Sequence, residues 1–184
     1  MRVDDPGDTT PESEGADDGL DACMEKAVEL LARRAHFRRE LRRKLRTRGF
    51  DELDVDTTLD RLSEQGHLDD RATAEFYVAG RLRRGGFGPR RLEAELMERG
   101  VDGDEARAVV TAAVGDEAAL AGAAADRWLR TNGRRATPQA LGRHLERAGF
   151  RTGLVIEHVR RLQAELREDE VRAEGDPEAE AWDP

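Results

Sequence analysis

The chain has 184 residues and a formal net charge of −9 at pH 7, and 38% of its residues are hydrophobic but only 4% are aromatic. A core built mainly from Leu, Val and Ala favours helices over sheets, because pleated surfaces are packed best by β-branched and aromatic side chains. No apolar run approaches the roughly 18 residues of a membrane span, and the start of the chain lacks a signal pattern. We therefore expect a soluble, cytoplasmic protein with no membrane partner.

Acidic residues are concentrated at the two ends of the chain. Residues 1–23 carry a net charge of −7 and residues 166–184 carry −6, which leaves +4 for residues 24–165. Both ends are poor in large apolar side chains and cannot bury enough surface to offset the entropy of ordering. The sequence therefore predicts disordered acidic tails at residues 1–23 and 167–184 around a basic folded middle.

The first predicted repeat covers residues 24–70. Its first helix carries Val28, Leu31 and Ala32 on the predicted apolar face. In its middle helix two leucines stand four residues apart and a glycine follows after four more, at the position of a left-handed helix cap. The apolar positions of the middle and last helices are Leu41, Leu45, Gly49 and Phe50, and then Val55, Leu59 and Leu62.

The middle helix of this repeat is strongly basic, with nine basic residues and one acid in residues 33–48. When the leucines face inward, the arginines fall into two stripes at helical spacing, which predicts a surface that binds DNA phosphates or acidic groups of a protein partner. A general bias of composition is the alternative, since the chain has 29 Arg and two Lys. The two stripes are Arg38, Arg42 and Arg46, and Arg39 and Arg43.

The second predicted repeat, residues 71–117, opens with a helix that carries Phe76, Val78, Ala79 and Leu82, and repeats the leucine–glycine pattern in its middle helix. Between these two helices the chain reads RLRRGGFGPRRL. In register with the other repeats, Gly88-Pro89 starts the middle helix, with proline at the first helical position. A phosphate loop is excluded, because neither a preceding strand nor a Gly-Lys-Ser/Thr ending is present.

The arginines around this glycine segment are a second candidate interaction surface. Exposed amides at a helix start attract anions, and basic side chains on either side would strengthen that attraction. Phe87 either contacts a partner or a base, or folds back onto its own helices. The predicted contact residues of this segment are Arg83, Arg84, Phe87, Arg90 and Arg91.

The third predicted repeat covers residues 118–166 and has the same middle-helix pattern, with Gly149 as its expected cap. Thr137-Pro138 forms a good helix start, since the hydroxyl caps free amides and the proline suits the first turn. No segment alternates with a period of two. The sequence therefore predicts an all-α chain of three tandem three-helix repeats.

Three segments together resemble the RecX family of bacterial recombination regulators. These are RRAHFRRELRRKLRTRGFD, GHLDDRATAEFYVAGRL and GFGPRRLEAEL, and their order and spacing carry the resemblance over roughly residues 24–165. It implies an elongated arc of three-helix repeats, without catalytic activity or cofactor, that binds the RecA recombinase filament and damps filament growth, ATP hydrolysis and strand exchange. A serine is usual in the family at the position of Phe37, where it would cap the middle helix of the first repeat.

Enzymatic and metal chemistry are not indicated. The four histidines are too widely spread for a local metal motif, and Cys23 is the single cysteine. No nucleophile, base and orienting group converge in the sequence. We expect a monomeric regulatory protein that binds the RecA filament and single- or double-stranded DNA; the alternative is a basic helical DNA-binding protein that acts independently of RecA.

Overall fold

The computed structural model describes residues 14–174, which form nine α-helices and one short 3-10 helix and include no strand. The predicted all-helical fold is confirmed. None of the described helices is long and apolar enough to cross a membrane alone; the helices Gly103–Val114 and Glu117–Asn132 meet that criterion only as a pair bent by 72°. The helices are α1 (Glu14–Arg33), α2 (Arg38–Arg46), α3 (Glu52–Glu64), α4 (Asp70–Arg84), α5 (Pro89–Glu98), α6 (Gly103–Val114), α7 (Glu117–Asn132), α8 (Pro138–Ala148) and α9 (Thr152–Glu174), with the 3-10 helix at Gly133–Arg135.

The described residues fall into two compact units. The first unit holds residues 14–74 with 99–101, and the second holds residues 75–98 with 102–174. Helix α4 therefore contributes its first turn to the first unit and the rest of its length to the second. The boundaries predicted for the three repeats stay a prediction.

Helices α1, α2 and α3 pack around the core of the first unit. The apolar positions predicted on α2 and α3 are confirmed, and α1 contributes a face of smaller side chains. Cys23 is fully buried in this core, although the sequence analysis placed it in the tail. Small apolar side chains stand out less in a hydropathy pattern than Val or Leu does. The sequence pattern therefore did not indicate this face of α1. The core residues are Cys23, Ala27, Leu30, Leu41, Leu45, Val55, Leu59, Leu62 and Leu68.

The start of α2 is capped by a side chain from α4 and not by its own cap residue. Phe37 at the cap position is buried and makes no capping hydrogen bond from its side chain. The backbone N–H of Arg38 instead donates to Oδ1 of Asp70, at 2.7 Å. Burial raises the pKa of Asp70, while the hydrogen bond from Arg38 opposes that effect. A carboxylate 32 residues away in the chain thus satisfies an amide that would otherwise have no helical partner.

The glycines predicted to end the middle helices adopt the left-handed conformation. Their φ angles are 90° at Gly49, 97° at Gly100 and 89° at Gly149. Glycine reaches this region without the penalty that a Cβ atom imposes. The predicted ends of the three middle helices are confirmed.

In the second unit, α7, α8 and α9 enclose a continuous core. Its buried positions include Leu141 and Leu145 on α8 and Val155 and Leu162 on α9, as predicted. The hydroxyl of Thr137 accepts a hydrogen bond from the N–H of Ala140 at 3.2 Å, so the predicted helix start is confirmed. Helices α5 and α6 bury Leu92, Leu96, Ala106, Val109 and Val110.

Both predicted acidic tails are shorter than the sequence suggested. Helix α1 begins at Glu14, inside the segment predicted to be disordered, and α9 continues to Glu174. Ion pairs one helical turn apart, such as Arg161 with Glu165 at 2.9 Å, support α9. The remainder of each predicted tail lies outside the described residues.

Candidate interaction surface

The first predicted arginine stripe is engaged in ion pairs with α3. Its three guanidinium groups lie opposite three carboxylates that also stand four residues apart but run in the opposite direction. The pairs are Arg38 with Asp60 at 2.6 Å, Arg42 with Asp56 at 2.5 Å and Arg46 with Glu52 at 2.8 Å. We call this arrangement the arginine ladder.

The arginine ladder changes the interpretation of the basic helix. Each of its pairs is partly or largely exposed and adds only about 0–1 kcal/mol to stability, but each carboxylate neutralises one arginine. In the second stripe, Arg43 is exposed and makes no ion pair with any described residue. The charge available to an external anion on α2 is thus smaller than the sequence suggests, and the spacing of acids on α3 is the signal that could have revealed it.

Removing the acids of the arginine ladder is expected to strengthen DNA binding. In the triple variant Glu52→Gln, Asp56→Asn and Asp60→Asn, three arginines lose their carboxylate partners and become available to phosphates. Affinity for a single-stranded oligonucleotide at low salt should rise about tenfold, since each added phosphate contact releases counterions. Fluorescence anisotropy at several salt concentrations measures this change.

The control for this experiment has the same net charge but keeps the ladder. The exposed acids Asp21, Glu25 and Glu64 serve this purpose, because none makes an ion pair with a described residue. An equal rise in DNA affinity in both triple variants would show that only the net charge matters. The arginines of the ladder would then form no binding surface when their carboxylate partners are removed.

The glycine segment of the second unit is bound to the end of α8 through its backbone. Gly85 and Gly86 have φ angles of 72° and 79° and turn the chain after α4. The N–H of Gly88 then donates to the carbonyl of Ala148 at 2.6 Å, and the N–H of Arg90 donates to the carbonyl of Gly149 at 3.2 Å. Helix α5 starts at Pro89 as predicted, and two backbone hydrogen bonds fix its start against α8.

Two glycines permit this contact. A Cβ atom on Gly88 would lie 2.5 Å from the carbonyl carbon of Gly149, and a Cβ atom on Gly149 would lie 2.4 Å from the backbone nitrogen of Arg91. The carbonyl of Gly88 also accepts the first helical bond of α5, from Leu92 at 3.2 Å. Gly88 therefore occupies the predicted cap position, and the close approach of two backbones adds a second requirement for glycine there.

Phe87 lies against its own helices, one of the two alternatives for this residue. The guanidinium groups of Arg81 and Arg91 each lie 4.7 Å from the centre of its ring. Such cation–π contacts contribute about 0.5–1 kcal/mol each at exposed sites. A nucleic-acid base would have to displace a guanidinium to stack on this ring.

Glu95 neutralises these two arginines. Its carboxylate accepts a hydrogen bond from the hydroxyl of Tyr77 at 2.5 Å, and it lies 3.0 Å from Nε of Arg81 and 3.1 Å from Nε of Arg91. Burial acts to raise the pKa of Glu95, but the hydrogen bonds from Tyr77 and Arg91 and the charge of Arg81 outweigh it and hold the pKa below its usual value. The carboxylate is therefore ionised at neutral pH and joins α4 to α5.

A groove opens where the start of α5, the end of α8 and the start of α9 meet. Its volume is about 450 Å³. We call it the arginine groove, because arginines are its main polar lining. The lining residues are Arg90, Arg91, Glu146, Arg147, Gly149, Phe150 and Thr152.

The structure places the predicted arginines of this region in two settings. Arg90 and Arg91 line the arginine groove, whereas Arg83 and Arg84 are exposed at the end of α4. Nη1 of Arg127 donates to the carbonyl of Arg84 and holds that helix end. Arg147 was missed by the sequence analysis, although its position two residues before the capping glycine of α8 could have indicated it.

His36 is the one fully enclosed histidine of the first unit, with 2% of its surface exposed. Its Nδ1 donates to the carbonyl of Arg34 at 2.8 Å, and the ammonium of Lys44 donates to its Nε2 at 2.6 Å. Burial lowers the pKa of His36, which fits a neutral ring that accepts from a lysine. Its role is structural, and no group of three His, Cys, Asp or Glu among residues 14–174 could hold a metal ion.

Comparisons with known proteins agree with this architecture. Residues 23–62 match the family model for the first three-helix domain of RecX, and residues 69–110 match the model for its second three-helix domain. A regulatory protein RecX of Halorhodospira halophila is 38% identical over 154 residues, which are 83% of this chain and 92% of the relative. A regulatory protein RecX of Pseudomonas fluorescens is 46% identical over 84 residues, so that match spans 46% of this chain and only 54% of the relative.

The fold is also that of a solved structure. The crystal structure of RecX from Lactobacillus salivarius superposes with a TM-score of 0.64 at 20% identity, and the match covers 80% of this chain and 99% of that chain. At this identity the likeness establishes the fold alone.

Proposed function

Because this chain belongs to the RecX family of regulatory proteins, we propose that it binds the filament that the RecA recombinase forms on DNA and inhibits filament growth, ATP hydrolysis and strand exchange. The observation that carries the proposal is 38% identity to a regulatory protein RecX over 92% of that protein's length. The cytoplasm, where such a filament assembles, is the proposed location.

The charge distribution of the second unit supports this proposal. Arg83, Arg84 and Arg90 are exposed, and none of them makes an ion pair with a described residue. A filament on DNA presents both phosphates and acidic side chains, and the planar fork of arginine binds either group bidentately. Regulation by binding needs such a surface and no catalytic group.

The direct test is the rate of ATP hydrolysis by RecA on single-stranded DNA. We expect the steady-state rate to fall as this chain is added, and to approach a low plateau at micromolar excess. An unchanged rate over that concentration range would refute the proposal.

A variant with fewer exposed arginines serves as the matched control. This triple variant carries Arg83→Gln, Arg84→Gln and Arg90→Gln, which remove three charges that do not take part in internal ion pairs. Arg91 is left in place because it contacts Glu95. The triple variant should keep the helical circular-dichroism spectrum of the parent chain and inhibit only at higher concentration.

A second candidate function is DNA binding without RecA. The observation that favours it is the arginine groove, since a basic groove can follow a phosphate backbone without a protein partner. Steeply salt-dependent binding to naked DNA, together with an unchanged rate of ATP hydrolysis by RecA, would favour this candidate over the first.

A further inference from the structure

We infer that the arginine groove binds the sugar–phosphate backbone of a DNA strand. The inference rests on the proposed function and deepens it, because it assigns the DNA of the filament, rather than the recombinase, to one defined place on the chain. The groove holds Arg147 and Thr152, which the sequence did not indicate, beside Arg90 and Arg91.

The backbone at Arg90 and the side chains of Arg91 and Arg147 are held in place by hydrogen bonds and an ion pair. The two backbone hydrogen bonds from Gly88 and Arg90 join the start of α5 to the end of α8. Nε of Arg147 donates to the carbonyl of Arg143 at 3.1 Å, and Nε of Arg91 lies 3.1 Å from the carboxylate of Glu95. Each tethered side chain keeps its terminal Nη groups for a ligand, and an anion binds more tightly when less side-chain entropy is lost.

The charge of the groove favours an anion. Arg91 is already paired with Glu95, so two unpaired arginines, Arg90 and Arg147, line the groove with one carboxylate, that of Glu146, which makes no ion pair with a described residue. Arg90 and Arg147 are exposed and have no internal carboxylate partner in the described chain. Their charges are therefore uncompensated, unlike those of the arginine ladder.

The lining of the groove favours phosphates over an acidic peptide. Protein partners usually bind by inserting an aromatic or aliphatic side chain into an apolar pocket. The only aromatic or aliphatic side chain among the lining residues of the groove is that of Phe150, which is only 3% exposed, so the groove offers no such pocket. Phosphate contacts require only donors, which the guanidinium groups and the hydroxyl of Thr152 supply. Binding should accordingly be independent of base sequence.

The test uses the full chain and a fluorescein-labelled oligo(dT) strand, with affinity measured by anisotropy over a series of salt concentrations. The groove variant is Arg90→Gln with Arg147→Gln, and the control is Arg130→Gln with Arg160→Gln, two exposed arginines outside the groove with the same change of net charge. The groove variant should bind about tenfold more weakly at low salt, and its salt slope should be smaller by about 1 to 2, since each single-strand phosphate contact contributes roughly 0.7. The control variant should keep nearly the oligo(dT) affinity and the salt slope of the parent chain.

Equal losses in the two variants would overturn the inference, as would a parent chain that does not bind oligo(dT) at low salt. A groove variant that keeps its DNA affinity but no longer inhibits RecA would also overturn it, because the groove would then contact an acidic protein surface. A parent chain that binds oligo(dT) through the groove but leaves ATP hydrolysis by RecA unchanged would support the groove and refute the proposed function. Failure of DNA binding by the groove and failure of RecA inhibition can therefore be told apart.

Discussion

Replacing Gly149 by alanine is expected to lower the free energy of unfolding by about 2 to 4 kcal/mol, the combined cost of a left-handed alanine and of overpacking. The φ angle at this position is 89°, and the new methyl group would lie 2.4 Å from the backbone nitrogen of Arg91. Backbone atoms cannot rotate away as the end of a side chain can. The start of α5 must therefore move away from α8, and the hydrogen bond from Arg90 to residue 149 is strained or lost.

Gly49 is the matched control for this substitution. It follows the middle helix of the first repeat as Gly149 follows that of the third and has a φ angle of 90°, but a Cβ atom there would meet nothing within 4 Å. Gly49→Ala should cost only the backbone penalty of about 1–2 kcal/mol. Urea unfolding followed by circular dichroism measures both variants, and equal costs would show that the contact between α5 and α8 adds nothing to stability.

The partner glycine gives an independent test of the same contact. Gly88 does not have a positive φ angle, so alanine there introduces only the clash with the carbonyl of Gly149, at 2.5 Å from its carbon atom. Once one substitution has separated the two backbones, the second has less left to disrupt. The double variant should therefore cost less than the sum of the two single variants, as expected for residues in direct contact.

The local pattern of the sequence predicted the middle and last helices well. The leucines at 41, 45, 92, 96, 141 and 145 are all at most 1% exposed, and the glycines that follow them are left-handed. Both features are set within one or two helical turns, by periodicity and by the sterics of a single residue. Such short-range signals do not depend on which other helix packs against them.

The faces of the first helices were harder to predict. Val28 is 50% exposed and Phe76 is 71% exposed, although both were assigned to the core, while Cys23, Ala27 and Ala74 are fully buried. A helix can bury small residues where a neighbouring backbone comes close, and the choice of face is then made by tertiary packing. Hydropathy alone favours the larger side chain and selects the wrong face.

Long-range partners explain the remaining differences at the candidate site. The cap of α2 by Asp70, the ladder between α2 and α3, and the carboxylate of Glu95 between two arginines all join residues from different helices. Counting bases within one segment cannot show which of them are neutralised by acids of another. The sequence therefore located the basic segments, whereas the structure separates their paired arginines from the exposed ones.

Glu95→Gln is expected to lower the free energy of unfolding by about 1–3 kcal/mol at neutral pH, because a hydrogen-bonded carboxylate that is largely shielded from water is lost between two cations. Its side chain is only 14% exposed, and the like charges of Arg81 and Arg91 would face Phe87 without compensation. Thermal unfolding at pH 7 measures the loss. Glu93→Gln on the same helix is the control, since Glu93 makes no ion pair with a described residue and should cost little.

The pH dependence separates the charge of Glu95 from its shape. The pKa of Glu95 lies below its usual value of 4.5 in the folded chain, so its stabilising contribution is complete above about pH 4.5 and is lost as the pH falls through the folded pKa. The difference in stability between the parent chain and Glu95→Gln should therefore shrink on acidification. A difference that stays constant down to pH 3 would mean that packing, not ionisation, is responsible.

Although Glu95→Gln lowers stability, it should not weaken DNA binding. Without the carboxylate, Arg91 keeps its place on the wall of the arginine groove but gains an unpaired charge, so affinity for oligo(dT) should be equal to or higher than that of the parent chain. Arg90→Gln with Arg147→Gln should instead weaken DNA binding at little cost to stability, because neither arginine has an internal carboxylate partner among residues 14–174. If Glu95→Gln lost stability and DNA affinity together, the arginines of the groove would depend on Glu95 for their position, and charge alone would not account for binding.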